Sequence, residues 1–504
     1  MKYLLAIDLG TTNWKVALYS IHGKLVDILR TPTITHCDES GNSYYDATEI
    51  WGRTSELCRN MLQKHAVSIA AVSVTSVAES IVGIKANGEV IAEVLAWFDV
   101  RAAKQIYEIE SLISADEIYS ITGLDMNPIF SLPKIMWIRE NRPKDYEKAV
   151  KWLQIADYIN YKLTGEFVTD YTLASRTLAY DIRRKDWSRT ILDKVGVPIS
   201  VMPQIIESGT RIGAVRNIAS VQTGIPAGTP VVVGGNDHPC ASLATSVVTE
   251  NSILDSSGTA ESFLYITKPG HQIRIEFKGQ RTCSFLQRDR YALWGGIISS
   301  GRSFDWAMTT FEAKDLQNGT SREAILERVA KAKGMSSGLI FYPHIRGSGA
   351  PYWNPNASGA FVGIRDLFNG DNFMRSVIES LCMQARIIVE MEQEVAGCEA
   401  KKICVVGGSS NNLLWQRIKA DILQKELELS NNPEATSFGV AMLGAIGIGE
   451  YSGIEEVSRI MCKDNVMVYP DENMAEYYEE LYDQYCRAYR HIQEVDAIIR
   501  EGRE

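Results

Sequence analysis

Leu4-Leu5-Ala6-Ile7-Asp8-Leu9-Gly10-Thr11-Thr12 and Ser252-Ile253-Leu254-Asp255-Ser256-Ser257-Gly258-Thr259 are two versions of one device, half a chain apart. Each is an apolar run of strand-forming residues that enters a tight Gly-Thr turn. Such a turn directs backbone N–H groups and hydroxyls at one point, where phosphate can sit. A chain that carries the device twice is expected to grip one anionic ligand from two sides.

The flanking residues extend both turns into larger units. Tyr3 to Asp8 reads as a strand, Trp14 to Ser20 as a second, and Ile21-His22-Gly23-Lys24 as the turn into a third. Asp46 followed by Glu49 is a capping-box start, and Ile50, Thr54, Leu57 and Met61 then fall on one helical face. Ile69 to Thr75 is a short apolar strand, Ser131 to Asn141 a helix, and Thr229-Pro230-Val231-Val232-Val233 a buried strand ending at Gly234-Gly235. After Ser252 the order recurs. A strand enters Gly258-Thr259, another runs from Tyr291 to Trp294, and a helix lies beyond Ser303. A helix from about Asp371 places Met374, Val377, Ile378, Leu381 and Ile388 on one face, and Ile403-Cys404-Val405-Val406 leads into Gly407-Gly408. This alternation predicts an α/β fold of two similar halves around a central cleft, residues 1–245 and 246–504. The ligand is expected between them, at strand carboxyl ends.

Composition agrees with that scale. The 504 residues exceed what one hydrophobic core usually supports. With 52 basic against 62 acidic residues, the formal charge of -10 leaves no excess of cations to exchange for counterions. Nucleic acid and anionic membranes are therefore poor partners. The nine cysteines are odd in number and lack CxxC pairing, so neither a disulfide framework nor a zinc site is expected, and a reducing cytoplasm fits. The chain opens directly into a strand and has no apolar run near the roughly 20 residues of a membrane span, which argues against secretion and membrane insertion.

Several segments together resemble one family, the FGGY carbohydrate kinases. Gly359-Ala360-Phe361-Val362-Gly363-Ile364 with Asn372-Phe373 and Ser376-Val377-Ile378-Glu379 fits the second family signature. Ser131, Lys134, Ile135, Trp137, Ile138, Glu140 and Asn141 fit the first, with Ile129 where another residue type is usual. Trp97, Asp99 and Arg101 resemble its substrate-side Trp-x-Asp-x-Arg element, Gly347, Pro351, Tyr352, Trp353 and Pro355 the loop before the second signature, and Gly407-Gly408-Ser409 with Gln416 and Asp421 its adenosine-binding turn and helix. The resemblance implies two actin-like (ribonuclease H-like) ATPase domains flanking the cleft, the fold of heat-shock chaperone ATPases and hexokinases. It further implies transfer of the γ-phosphoryl group of ATP, with Mg2+, to a hydroxyl of a small sugar or polyol.

Under that resemblance the parts fall into roles. Asp237 matches the catalytic aspartate that accepts the proton of the attacking hydroxyl; its plain structural alternative is a cap for the helix starting at His238-Pro239. Asp8 would face magnesium through a water, since magnesium keeps much of its hydration shell. Gly10, Thr11, Thr12, Gly258 and Thr259 would hold phosphate, and Gly301, Gly407, Gly408, Ser409 and Asn412 would line the nucleotide site. Glu79, Trp97, Asp99, Arg101 and His238 would join Asp237 around the acceptor. There is no GxGxxG fingerprint or Walker Lys-Ser/Thr after either strand, so a dehydrogenase or P-loop ATPase is poorly supported.

The acceptor is less legible. Val77-Ala78-Glu79 resembles the glycerol kinase segment but has Ala78 in place of its arginine and Ile129 in place of its tyrosine, while xylulose kinases carry Gln-Met-His there. Glu79 could accept from two adjacent hydroxyls, which suits a linear ketose or polyol, with an aldonate as the variant. The other function classes are a non-catalytic sugar sensor of the same fold, and a chaperone-like ATPase or filament protein. Finally, Tyr478, Leu481, Tyr485, Ala488, Ile492, Val495 and Ile499 alternate by four and three as a heptad stripe, read as a helix packed on the second lobe, with a homodimer contact as its alternative use.

Overall fold

The computed structural model describes residues 2–501 except Ala92, Ile273, Arg274, 276–278, Lys463 and Asp464, and leaves aside the side chains of Ser336, Ile499, Arg500 and Glu501. Two large sheets organise it, and we number their strands together. The first comprises β1 (Lys2–Leu9), β2 (Asn13–Ser20), β3 (Leu25–Pro32), β4 (Ser68–Ser76), β5 (Arg211–Ala214) and β6 (Pro230–Asn236), in the order β5-β6-β4-β1-β2-β3. The second comprises β7 (Ser252–Ser257), β8 (Glu261–Ile266), β9 (Arg281–Ser284), β10 (Tyr291–Ile297), β11 (Lys402–Val406), β12 (Glu426–Leu429) and β13 (Val466–Val468), in the order β9-β10-β8-β7-β11-β12-β13.

The two orders share a central arrangement, with seven strands in the second sheet against six in the first. In each, the strand before the Gly-Thr turn pairs antiparallel with the strand after it and parallel with a later strand: β1 with β2 and β4, β7 with β8 and β11. The strand before each turn is legible in sequence because it is a local, almost continuously buried apolar run that ends at the turn glycine.

Eight helices carry the argument. They are α1 (Ala47–Lys64), α2 (Ser131–Asn141), α3 (Asp237–Ala244), α4 (Ser300–Phe311), α5 (Gly370–Ala396), α6 (Leu413–Leu423), α7 (Ala435–Gly447) and α8 (Ala475–Glu501). Asp46 caps α1 by accepting from the Glu49 N–H at 2.8 Å, but Glu49 turns to His36 and Arg53 instead of returning the bond, so only half the capping box forms. Met374, Val377, Ile378, Leu381 and Ile388 are fully buried along α5 at the centre of the second core.

Two helices bind the halves together. α3 follows β6 directly, and α7, though it belongs to the second half of the chain, packs on β1, β4 and β6 of the first sheet. They cross so closely that a Cβ at Gly439 of α7 would lie 1.7 Å from the Cys240 carbonyl oxygen of α3.

α8 departs from the heptad reading. Tyr478, Leu481, Tyr485 and Tyr489 are its buried apolar positions, with Ala488 and Ile492 partly covered and Val495 about half exposed, while the side chain of Ile499 lies outside the described residues. A straight helix drifts by roughly 20° per heptad against a 3.5-residue repeat, so the stripe leaves the core surface after a few turns.

Candidate functional site

Two cavities open into the cleft, and Gly258 lines both. The first, of about 820 Å³, is lined by Gly258 and Thr259 of the second Gly-Thr turn, Gly301 of α4, Gly408 and Ser409 after β11, and Asn412 and Trp415 at the start of α6. Its walls follow from close backbone packing. A Cβ at Gly301 would meet the Gly258 carbonyl oxygen at 2.2 Å, so the N-terminus of α4 can abut the turn only as glycine. The Arg302 N–H then donates to the Thr259 carbonyl at 3.2 Å. Of the glycine pair after β11, Gly408 faces open space, whereas Gly407 has φ of +97° and a Cβ there would lie 2.4 Å from the Ser257 carbonyl oxygen. Gly407 therefore serves strand-to-strand packing and does not line the cavity. Asn412 also caps α6, accepting from the Trp415 N–H at 3.2 Å.

Beneath this wall lies a buried ion triad. Lys419 of α6 donates to Asp255 at 2.5 Å and to Glu261 at 2.6 Å, and Glu261 also accepts from the Ser300 hydroxyl at the head of α4. One cation thus ties the strands on both sides of the turn to the helices on both sides of the cavity. Burial raises the Asp255 carboxyl, which the Lys419 ammonium opposes.

The second cavity, of about 560 Å³, holds Thr11, Glu79, Trp97, Asp237 and His238 from the sequence reading. Asn236 caps α3 through its side chain, which accepts from the His238 N–H at 3.3 Å, and the Asp237 carboxylate accepts from the same N–H at 2.9 Å. Asp237 therefore contributes to the helix start while its side chain lines the cavity. The turn is buttressed from behind: the Asn236 N–H donates to Thr172 Oγ1 at 2.7 Å, and Thr172 donates to the buried Asp170 at 2.5 Å. Burial pushes the Asp237 carboxyl up to about 7, with the His238 N–H opposing and the Glu79 carboxylate adding to the rise. Burial depresses His238 to about 4, so its ring is neutral near pH 7, packed 4.7 Å from the Trp294 ring.

Glu79 is held with unusual firmness. Its φ of +67° is the left-handed region, costing a residue with a Cβ roughly 1–2 kcal/mol. Its N–H donates to Gln154 at 2.9 Å, and its carbonyl accepts from Ser131 and from Lys134, both at 3.3 Å. Lys134 also donates to the Ala96 and Trp97 carbonyls at 2.9 and 3.0 Å. The lysine of the first signature, buried in α2, thus fixes the backbone of two cavity residues.

Asp8 lies near the end of β1, outside both cavity linings and only 3% exposed, and its Oδ1 has no hydrogen-bond partner among the described residues. Burial raises it to about 7; Lys15, its cross-strand neighbour at 3.9 Å, opposes the shift and Asp237 reinforces it. A buried carboxylate oxygen without a donor fits a hydrated magnesium ion, which takes one or two carboxylates and otherwise water and phosphate oxygens. Gly10 and Thr12 lie on the turn beyond Asp8, outside both cavity linings, and Thr11 accepts from the Trp97 indole at 3.1 Å.

Asp99 and Arg101 are not brought to the cavity. Arg101 donates to Asp99 through Nε at 2.8 Å and Nη2 at 3.0 Å, Asp99 also accepts from the Ser43 N–H at 2.7 Å, and the guanidinium stacks on Trp137. Paired with each other and with the Ser43 backbone, they brace the loop that presents Trp97. The second signature likewise lies away from both linings: Glu379 accepts from Met335 N–H and Arg375, and a Cβ at Gly363 would lie 1.9 Å from the Gly338 carbonyl.

Sequence reading missed Lys15, Arg176, Arg281 and Trp294. Lys15 was recoverable from the β1–β2 register, which sets it opposite Asp8. Arg176 donates to Glu79 at 2.6 Å across 97 residues of sequence, and no local pattern announces such a pair.

Two profiles of the FGGY family of carbohydrate kinases match the chain, the N-terminal domain at residues 3–244 and the C-terminal domain at residues 255–448. A xylulose kinase of Bacillus subtilis (strain 168) is 26% identical over the whole of both chains. An L-fuculokinase of Escherichia coli O157:H7 is 27% identical over 90% of this chain and 94% of its own. The crystal structure of a ligand-bound xylulose kinase from Lactobacillus acidophilus superimposes with a TM-score of 0.90 at 22% identity, over 98% of this chain and 99% of that one.

Proposed function

This chain belongs to the FGGY family of carbohydrate kinases, two-domain actin-like ATPases that phosphorylate an alcohol group, and we propose that its acceptor is a neutral linear ketose of the xylulose type. The observation that carries the reading is the shared Gly258: the phosphate tail of ATP in the first cavity ends where an acceptor in the second begins.

The chemistry follows from positioning. The acceptor hydroxyl lies against Asp237, whose carboxylate takes its proton as the new O–P bond forms and the bridging bond to ADP breaks, the electron pair leaving with ADP. Asp8 would hold the water shell of a magnesium ion bound with the nucleotide, which would supply charge neutralisation on the phosphates. Thr11, Thr12 and Thr259 supply N–H groups and hydroxyls from opposite sides, while the Gly10 and Gly258 N–H groups close their own turns on the Asn13 and Ala260 carbonyls at 3.1 and 2.8 Å. Trp97, Trp294 and Trp353 wall the second cavity and keep water from competing for the phosphoryl group.

Charge favours a neutral acceptor over an aldonate. Each arginine of the cavity already has a carboxylate: Arg176 has Glu79 at 2.6 Å, and Arg281 has Asp125 at 2.5 and 3.0 Å. A substrate carboxylate would find no free cation there. Glu79, fixed in place, remains as an acceptor for hydroxyls. We place the division of the lobes at residue 245 and the enzyme in the cytoplasm, in keeping with cysteines that are unpaired throughout.

The test is a coupled assay of ADP release over pentuloses, hexuloses, polyols and aldonates. A ketose is expected to give stoichiometric ADP at least roughly tenfold more efficiently than any aldonate. Turnover confined to aldonates, or ATP hydrolysis indifferent to added sugar, overturns the reading.

A further inference from the structure

The second cavity has a far end that the phosphoryl-transfer machinery does not use. From Asp237, a run of ring and cation contacts leads along one wall. The neighbouring His238 packs on Trp294, the Arg176 guanidinium lies 4.5 Å from the Trp294 ring and 5.2 Å from the Phe130 ring, and the Arg281 guanidinium lies 5.3 Å from Phe130 on its way to Trp353 at 4.1 Å. Arg281 stands opposite Trp294 in the β9–β10 register, so the Trp294 ring lies between it and His238, and it lines the same cavity.

Its state is that of a reader with a hand free. Arg281 is 7% exposed, and Nε and Nη2 form a bidentate pair with Asp125, while Nη1 makes no hydrogen bond to a described residue. Arg281 lines the cavity, and a guanidinium N–H that no described residue takes up is available to a hydroxyl placed there. The pair is also built from both halves of the chain: Asp125 follows the segment whose Gly123 carbonyl accepts from the Thr282 N–H at 2.8 Å, so β9 delivers Arg281 along a fixed path.

We infer that Arg281, held by Asp125, is a specificity-determining residue that hydrogen-bonds the end of the acceptor opposite the phosphorylated hydroxyl, and so selects for chain length. The inference rests on the neutral-ketose reading above. A triose bound at Asp237 and Glu79 stops short of Arg281; a pentulose or hexulose extends toward it. Binding the longer acceptor satisfies an N–H that the shorter one leaves unpaired, and a site built in this way discriminates strongly.

The experiment compares dihydroxyacetone, a tetrulose, pentuloses and hexuloses as acceptors for the wild type, Arg281→Met and Asp125→Asn, with KM for ATP as the control. In Arg281→Met, kcat/KM for the best pentulose or hexulose is expected to fall roughly thirtyfold or more, mostly through KM, while dihydroxyacetone changes by less than about threefold. Asp125→Asn, which keeps the shape and leaves the cation loose, is expected to show the same trend more weakly, and it decides the matter if Arg281→Met does not fold. A loss equal for all lengths, or none, overturns the assignment. Should the wild type use no neutral acceptor, the ketose reading is what fails, and length selection falls with it; a wild type active on ketoses with a uniform loss in the variants removes the Arg281 role alone.

Discussion

Asp8 and Asp237 are two carboxylates that the fold holds in a form they would not choose. Each is raised from an ordinary value of 3.8 to about 7, chiefly by burial. The sign is worked out simply. Between pH 4 and 7 the unfolded chain ionises both groups while the folded protein does not, so stability falls as pH rises through that window and stays low above it. The ceiling is roughly 4 kcal/mol per group. Replacing either by asparagine removes the titration. Asp237→Asn and Asp8→Asn are therefore expected to melt above the wild type at pH 8, with the gain vanishing near pH 4 in thermal scans. Asp237→Asn is meanwhile expected to lose at least about a thousandfold in kcat and to keep its ATP affinity, and the wild type kcat/KM to climb to a plateau above about pH 7. A variant whose advantage over the wild type is no larger at pH 8 than at pH 4 would mean that water, and not burial, governs these groups. Both aspartates were legible in sequence because each sits at the end of an apolar strand, beside turn or cap residues. Glu79 was legible by resemblance alone; its left-handed backbone and its partner Arg176 come from tertiary packing that no window of the sequence records.

The elements around the nucleotide cavity divide into those that sequence pattern reveals and those fixed by close approach. The β7 and β11 strands are local apolar runs, legible in sequence with their ends nearly in place, whereas β8 (Glu261–Ile266) has no counterpart in the sequence reading. The start of α4 was read at Ser303 and lies at Ser300, because Gly301 looks like a loop residue until the Gly258 carbonyl beside it explains the need. Gly301 and Gly408 line one cavity for different reasons, and alanine separates them. Gly301→Ala drives a methyl into backbone at 2.2 Å and is expected to push α4 from the turn, lowering stability by about 1–3 kcal/mol and raising KM for ATP at least roughly tenfold. Gly408→Ala meets nothing within 4 Å, and is expected to melt like the wild type while still raising KM for ATP, because its methyl occupies ligand space. Chemical denaturation alongside ATP titration checks both; equal melting losses would mean that Gly408 too is a packing glycine.

At the scale of the whole molecule, the two halves are joined where the chemistry is done. α3 carries Asp237 at its first turn, α7 comes from the nucleotide half yet packs on the first sheet, and Glu434 just before α7 pairs with Lys15 at 2.7 Å and Arg30 at 3.1 Å. Relative movement of the lobes therefore loads the α3–α7 crossing, alongside the Asp125–Arg281 pair that also joins the halves. That crossing is set by one residue. A methyl at Gly439 would lie 1.7 Å from the Cys240 carbonyl oxygen, whereas one at Gly444, a turn further along α7, would lie 3.0 Å from the Ser73 hydroxyl, a side chain able to yield. Nothing in the sequence distinguishes the two glycines, since both interrupt a run of small and apolar residues and only the partner helix tells them apart. Gly439→Ala is expected to force the helices apart by more than an ångström, costing about 1–3 kcal/mol of stability and turning Asp237 with α3. Its kcat is expected to fall at least roughly tenfold for every acceptor length, with Gly444→Ala within about threefold of the wild type. That uniform loss is also the signature the Arg281 variant must not show, so the two sets of kinetics, measured on the same acceptors, separate a hinge that positions the reacting group from a residue that measures the substrate. If Gly439→Ala folds, melts and turns over like the wild type, the crossing yields without moving Asp237, and the lobes are coupled through another contact.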